Sequence, residues 1–285
     1  MIAPVPADTT SAGARNVIAA LLERHTGQQI GAGRAWRIDS ALKPLLRAHG
    51  LDTLDQLAAG LLRDGDAALK AEVVDALLNQ ESSFFRDFGV IEQIGIAASQ
   101  MQAAHPSRRL RLWSAGCSTG QEPLSIAMLL DEMHRDAPAP DICATDVSAS
   151  AIQRARSGRF SQFEVQRGLA IQRMIRWFEP AGDDWVARPE LLARVQFRRH
   201  NLVVDPALPG RFDIILCRNV LFYFSPPVRR QVFATLAGAL RPGGVIVLGA
   251  SETVIGQTDL LEPSTAYRGF YQARADTPLR ASAHG

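Results

Sequence analysis

Cysteine is scarce in this chain of 285 residues. Its three cysteines, Cys117, Cys143 and Cys217, are far apart and follow no metal-ligand spacing, which sets aside a zinc module. A sparse, odd count fits a reducing compartment. Long apolar runs are missing too. No stretch approaches the roughly 18 residues of a membrane span, so stable membrane insertion is not expected. The opening MIAPVPADTT lacks the basic start and apolar core of a signal peptide, and a cytoplasmic location is expected. Charge of one sign is nearly absent. A net charge of +2 is too small to argue for nucleic acid as a partner. What is present, 47% hydrophobic and 21% charged residues, reads as a soluble globular protein. The length allows one large domain or a small one plus a medium one.

Helical spacing runs from Ala14 to about Arg86, after a loose tail over residues 1 to 10. NVIAALLERHTG stops at Gly27. SALKPLLRAHG opens on the capping-type Ser40 and ends at Gly50, with Pro44 in its first turn or kinking it. TLDQLAAGLLRDG and AALKAEVVDALLNQ follow. After about residue 105 the period changes. RLRLWSAG, DICATD, RVQFRRHNL, RFDIILCRN and VIVLGASE read as strands, and AYRGFYQAR as a late one. QEPLSIAMLLDEMH, SASAIQRARSG and SPPVRRQVFATLAGALRPGG read as helices between them. This alternation predicts an α/β fold with a parallel sheet covered on both faces. Residues from about 160 to 195 break the rhythm and suggest a small insertion with its own hairpin or turn.

Chemistry gathers at the strand ends. WSAGCSTGQEP places Gly116 and Gly120 around a strand-to-helix turn, where backbone can approach a ligand. An ordinary structural turn would use the same glycines. The loop is neither a P-loop nor a dinucleotide fingerprint. Glu122 opens the next helix, where a carboxylate either complements the helix dipole or suits a cation, and would discourage a phosphate. Asp146 ends the second strand, from which an acid can accept hydrogen bonds from both ribose hydroxyls. Its alternative role is an N-cap. Asn219 ends the fourth strand with both a donor and an acceptor, which fits an adenine edge or an amino-acid head group. Leu221, Phe222 and Phe224 read as core, and Tyr223 as core with its hydroxyl at the surface. Carboxylates, an amide and a glycine loop favour S-adenosylmethionine, with its sulfonium, ribose diol and zwitterionic tail, over a nucleotide. Phosphates would want lysines and bare helix N-termini.

One stretch fits no helical stripe: NQESSFFRDFG, residues 79 to 89, sets two adjacent phenylalanines before Arg86. With it, the sequence resembles the chemotaxis receptor glutamate methyltransferases, the CheR family. SSFFRD, GCSTGQEPLSIA, ATDVS, HNL and CRNVLFYF occur in that family's order and spacing, and the resemblance extends from the helical N-terminal part to TAYRGFYQ. It implies a small all-α N-terminal domain with a linker, residues 1–86. A doubly wound class I S-adenosylmethionine-dependent methyltransferase domain would follow, residues 87–285, with a β-subdomain inserted at about 160–195. It also implies that the Phe-Phe-Arg segment closes over the cofactor, with Arg86 on the cofactor's carboxylate, a partner that suits a guanidinium fork. On the residues alone, Arg86 could instead form a surface ion pair with Asp87. Glu122, Asp146, Asn201, Leu202, Asn219 and Val220 match positions that line the cofactor in the family. Gln80 and Ser82 stand where the family usually has Asn and Thr. Ser82 keeps the hydroxyl, Gln80 keeps the amide on a longer stem, and Asn79 is an alternative to it.

The implied reaction methylates the side-chain carboxylate of a receptor glutamate and leaves S-adenosylhomocysteine. An unperturbed glutamate, with a pKa of about 4.3, is already anionic at neutral pH. The enzyme then needs chiefly to align the reacting atoms and exclude water, with no catalytic base and no metal. Tyr223 and Arg218 stand near the strand end where an acceptor would be positioned, although an arginine there could equally serve the fold. The implied partner is the cytoplasmic helical region of chemotaxis receptors. Its clustered glutamates would meet Lys43 and Arg47, which share a helical face. WFEPAGDDWVARPELL carries only Gly182 where members that grip a receptor's C-terminal pentapeptide are glycine-rich, so no tight pentapeptide site is expected. RNVLFY lacks the Asn/Asp-Pro-Pro-aromatic motif of nucleic-acid and amine methyltransferases. Methylation of another acceptor and a non-catalytic cofactor-binding module remain as alternatives. The arginines at 154, 156, 159, 167, 173 and 176 form either a patch for an acidic partner or a solvated face.

Overall fold

Apolar residues three and four apart build the first of two units in the computed structural model, which describes residues 7–63, 66–133 and 138–274, with no side chains for 7–11 and 32. Residues 1–6 of the expected tail, Asp64 and Gly65 at the end of TLDQLAAGLLRDG, and His134 lie outside the described residues. The first unit contains α1 (Ala7–Thr26), α2 (Trp36–Ala48), α3 (Leu54–Leu62) and α4 (Ala67–Leu77). It takes in the chain up to Asn79 together with Tyr223–Ser225. α1 packs on α3 and α4, and α2 on α4. Ile18, Leu22, Ile38, Leu42, Leu57 and Val73 are buried between them, each worth about 1.5–3 kcal/mol if fully withdrawn from water. α3 opens on a capping box in which Thr53 and Gln56 bond each other's backbone, and Asp66 caps α4 through Leu69 N at 2.8 Å.

Two boundaries differ from the sequence reading. Residues 7–10, read as tail, already belong to α1. α2 starts at Trp36, so Ser40 is no cap; its hydroxyl donates to Trp36 O at 3.3 Å. Pro44 accordingly lies inside the helix, past the first turn, where it withholds an N–H from the ladder.

The second unit holds Gln80–Phe222 and the chain from Pro226 onward. α5 (Phe88–Ala104) leads into β1 (Arg111–Ala115), α6 (Gln121–Met133), β2 (Asp141–Asp146) and α7 (Ala149–Ser157). An insertion follows: β3 (Arg159–Ser161), α8 (Gln162–Gln166), α9 (Ile171–Trp177), β4 (Phe178–Ala181), β5 (Asp184–Ala187) and α10 (Pro189–Leu192). The main sheet resumes with β6 (Val195–Arg199), β7 (Phe212–Cys217), α11 (Pro226–Ala239), β8 (Leu240–Leu248), β9 (Leu261–Pro263) and β10 (Tyr271–Ala273).

The main sheet has seven strands in the order β6-β2-β1-β7-β8-β10-β9. β6, β2, β1, β7 and β8 are parallel, and β10 runs antiparallel to β8 and β9. β7 is buried along its whole length, as expected of a strand covered on both faces. Strand order reverses between β1 and β7, and such a switch point opens a ligand crevice at the carboxyl ends of the strands. The insertion forms its own three-stranded antiparallel sheet, β3-β5-β4, where the sequence suggests only a hairpin or turn. α5 and β9 are absent from the sequence reading. The division between units falls after Asn79 rather than after residue 86. The reason is burial: Phe84 and Phe85 belong to the core cluster of the second unit. Among the described residues, no helix is long and apolar enough to cross a membrane.

Candidate functional site

The turn after β1 is stripped of side chains where it must be tight. Gly116 has φ +84, and a Cβ there would lie 2.5 Å from Val220 Cγ2 in the loop after β7. Gly120 has φ +96 and is closed in by Ala155 and Phe197. The Gly116 and Cys117 amides both donate to Thr145 O, at 2.8 and 2.9 Å, which ties the turn to the end of β2. There, half-buried Asp146 accepts from Ser118 N at 2.8 Å and from Ser148 N at 2.9 Å. The N-cap of α7 is Ser148, which accepts from Ala151 N at 3.0 Å. Asp146 is therefore not the cap but a bracket between two loops.

Across the switch point the loop after β7 is held by carboxylates. Asn219 adopts φ +60, a left-handed conformation that its short amide side chain tolerates. Glu252, in the loop after β8, accepts from four backbone amides: Asn219 and Gly249 on Oε2, both at 2.8 Å, and Val220 and Leu221 on Oε1, at 2.9 and 2.8 Å. A side chain on Gly249 would meet both Glu252 and Asn219 within 3 Å. The sequence reading passes over Glu252.

Arg218 turns inward rather than toward an acceptor. Its side chain is 1% exposed, with Nη1 on Glu122 Oε2 at 3.0 Å and Nη2 on Asp87 Oδ2 at 2.6 Å and on Arg86 O at 3.1 Å. The other oxygen of Glu122 accepts from Ser114 Oγ at 2.7 Å. The cation that Glu122 meets within the chain is therefore the Arg218 guanidinium. A buried charge is tolerable only when paired in this way. Of the two sequence readings of Arg218, service to the fold is the one its contacts support.

The NQESSFFRDFG segment belongs to the same unit from Gln80 onward. Its adjacent rings part company because Phe85 takes φ +50. Phe84 enters an aromatic cluster with Phe160 and Phe178, while Phe85 lies under the Arg173 guanidinium, 4.0 Å from the ring centre. Phe85 N donates to Ser125 Oγ at 2.9 Å. Gln80 bonds through Nε2 to Ser148 Oγ at 3.1 Å, and its carbonyl accepts from Ser118 Oγ at 2.9 Å. The segment is thus laced to the turns after β1 and β2. Ser82 is half-buried. Asp87, offered by the sequence as a partner for Arg86, is taken by Arg218. Among the described residues the Arg86 side chain has no hydrogen-bond or ion-pair partner, and only its carbonyl is engaged.

At the end of β6, Asn201 and Leu202 are buried. Asn201 Oδ1 accepts from Val203 N at 3.0 Å and its own N–H donates to Asp205 Oδ2 at 2.8 Å, a local turn. The structure thus ties Gln80 and Asp146 together through Ser118 and Ser148, Glu122 to Arg218, and Asn219 and Val220 to Glu252, with Gly116 packed against Val220. Tyr223 groups with the helical unit, where Asn79 Nδ2 donates to its hydroxyl. The six-arginine stretch is largely consumed by ion pairs: Arg154–Glu164, Arg159–Asp184, Arg167–Glu81, Arg173–Glu132 and Arg176–Asp131, with Arg156 on Phe197 O. Burial pushes the Cys117 and Cys217 thiols well above their usual range, helped by Asp146 and Glu122 for the first and by Glu252 and Glu122 for the second. A neutral buried thiol is no nucleophile.

A doubly wound sheet with an antiparallel strand near its far edge, a glycine turn after β1 and an acid after β2 define the domain of a class I S-adenosylmethionine-dependent methyltransferase. The chain belongs to the CheR methyltransferase family, whose S-adenosylmethionine-binding domain model matches residues 80–270. It is similar to the chemotaxis protein methyltransferase Cher2 of Pseudomonas putida, 35% identical over 89% of this chain and 95% of that one. It is also 37% identical to a chemotaxis protein methyltransferase of Vibrio parahaemolyticus, over 85% of this chain and 89% of the relative. Among solved structures, the S-adenosylmethionine-bound amino pentose methyltransferase CalS10 of Micromonospora echinaspora matches 60% of this chain and 58% of its own with a TM-score of 0.34 and 18% identity. The cofactor is S-adenosylmethionine. The residues present suit it: a carboxylate fixed at the end of β2, a turn closed to side chains at Gly116, and a guanidinium with no acceptor among the described residues.

Proposed function

We propose that this protein transfers a methyl group to the side-chain carboxylates of glutamates in chemotaxis receptors, forming methyl esters. The observation that carries the reading is Arg86. Its neighbours Glu81 and Asp87 are taken by Arg167 and Arg218, and among the described residues its own guanidinium meets no carboxylate. The tail of S-adenosylmethionine supplies one. When bound, the cofactor contributes an electrophilic methyl on a sulfonium. Asp146 would hold the ribose diol, with Arg86 and Ser82 at the amino-acid tail. Gly116, Glu122, Asn219, Val220, Asn201 and Leu202 would line the remainder, with Gln80 bracing the segment from the α7 side. A receptor glutamate arrives ionised, so no residue of this chain needs to remove a proton. Alignment and exclusion of water are the tasks left to the site.

Tyr223 and Arg218 are both candidates from the sequence for positioning the acceptor; the contacts of Arg218 with Glu122, Asp87 and Arg86 O support a role in holding the loop, which leaves Tyr223 for the acceptor. The partner is the cytoplasmic helical region of the receptor, which places the enzyme in the cytoplasm. Lys43 and Arg47, both exposed on α2, are suited to its acidic helices by charge. The β4–β5 turn consists of Gly182 and Asp183 alone, which supports the absence of a tight pentapeptide site. The test is incubation with methyl-labelled cofactor and receptor-bearing membranes, followed by mild base. Release of the label as methanol is expected. Base-stable label would mean another acceptor, and cofactor binding without any labelled receptor would mean a non-catalytic module.

A further inference from the structure

Beyond the Arg167–Glu81 ion pair, the insertion touches residues 84–88 of the Arg86 segment at three points. The Phe84 ring stands edge-on to Phe160 of β3 at 5.0 Å and to Phe178 of β4 at 5.5 Å. Gly168, between α8 and α9, comes so close that a Cβ there would lie 2.0 Å from Phe84 O. Arg173 of α9 lies 4.0 Å from the Phe85 ring centre and 5.9 Å from that of Phe88. Its fork is fixed on both oxygens of Glu132 at 2.8 to 3.2 Å. Between these contacts the chain makes two left-handed steps at side-chain-bearing residues, Phe85 at φ +50 and Asp87 at φ +57. Such conformations persist where surrounding contacts over-determine them.

We propose that the three-stranded insertion is the seat of this segment, and that Phe160, Phe178, Gly168 and Arg173 are positioning residues for Arg86. They fix the backbone of residues 84–88 from one side while Ser125 and Arg218 fix it from the other. The direction of the Arg86 guanidinium follows from that fixed backbone. The proposal rests on the reading of Arg86 as a cofactor contact. A molecule that has lost its seat samples other segment conformations, and apparent affinity falls by the fraction that remains in place. By the same linkage, anything that docks on the insertion and disturbs this packing is felt at the cofactor.

The test uses the full chain and S-adenosylhomocysteine as probe, with Phe160→Leu, Arg173→Gln, Arg86→Ala and the two combined variants. Amide hydrogen exchange reads the segment directly, because the Phe85 amide is protected by Ser125 Oγ. Both seat variants should speed Phe85 exchange by about tenfold. They should weaken S-adenosylhomocysteine by about five- to tenfold, with no further loss in the Arg86→Ala background. Parent-like exchange at Phe85 in the folded Arg173→Gln chain, which alters a partly exposed side chain and does not depend on Phe160→Leu folding, would overturn the proposal. Equal weakening with and without Arg86 would overturn it too, since the seat would then act through another group. Faster exchange with parent-like affinity in the seat variants and in Arg86→Ala would uphold the seat and refute Arg86 as a cofactor contact.

Discussion

The two sides of the switch point are built by opposite means. After β1 and β2 the chain removes side chains, at Gly116 and Gly120, and uses Asp146 to gather the amides of its own loops. After β7 and β8 it brings charges inward: Glu252 collects four amides, and Arg218 sits between Glu122 and Asp87. In the first design Asp146 holds amides 2 and 28 positions away; in the second Arg218 meets carboxylates 96 and 131 positions away. Damage to the first should therefore weaken the ligand more than the fold, and damage to the second should weaken both.

The largest expected effect breaks the second side. Arg218→Met leaves Glu122 and Asp87 without their common cation, and removal of one partner from a buried pair costs about 3–5 kcal/mol. Denaturant unfolding measures it; a loss under about 1 kcal/mol would mean that the carboxylates relax into water at no cost. Next comes Glu252→Gln, which turns an amide N–H toward backbone N–H groups. A loss of about 1.5–3 kcal/mol in stability is expected, together with weaker S-adenosylhomocysteine binding. An intact affinity would show that the loop after β7 keeps its shape without a carboxylate.

Asp146→Ala sharpens the contrast from the other side. It should remove about 1.5–3 kcal/mol of S-adenosylhomocysteine affinity while costing less in unfolding. Calorimetry giving the parent affinity for a folded variant would take Asp146 out of the site. The smallest effect concerns His200, buried at the end of β6 with Trp113 against its ring and Asp205 at 3.7 Å. Burial pulls its pKa below the usual histidine value of 6.5, and Asp205 pulls weakly the other way. The unfolded chain therefore takes up the proton first. Stability should be level above about pH 6.5 and fall as pH drops toward the folded value. Thermal unfolding from pH 7.5 to 5.5 should show this decline in the parent and less of it in His200→Asn. Equal declines would assign the pH dependence elsewhere.

The same contrast governs what could be read from the sequence. The strand pattern, the glycine turn and Asp146 are legible because residue type and order along the chain mark them. Arg218 is visible only as an arginine at a strand end, since its carboxylates lie 96 and 131 positions away. Glu252 carries no spacing signal at all, standing 33 residues from the first amide it holds after β7. A carboxylate that closes on backbone amides leaves no pattern of partner side chains to recognise. Ser40 has the chemistry of a cap, yet α2 begins at Trp36, because burial of Ile38 carries the helix back past it. The linker, residues 80–86, groups with the second unit for a similar reason. Adjacent phenylalanines announce burial without saying against what.

Phe85, Asp87, Ser118 and Asn219 all hold side chains at positive φ. Each such residue costs on the order of 1 kcal/mol, so together they take up an appreciable part of a typical native stability of about 5–15 kcal/mol. That cost is met once, when the chain folds, and is not met again by an arriving ligand. Glycine at these positions would relieve the backbone and also free it to wander. The chain thus carries its loops ready-set, and a cofactor encounters one arrangement of donors and acceptors instead of having to select it from many.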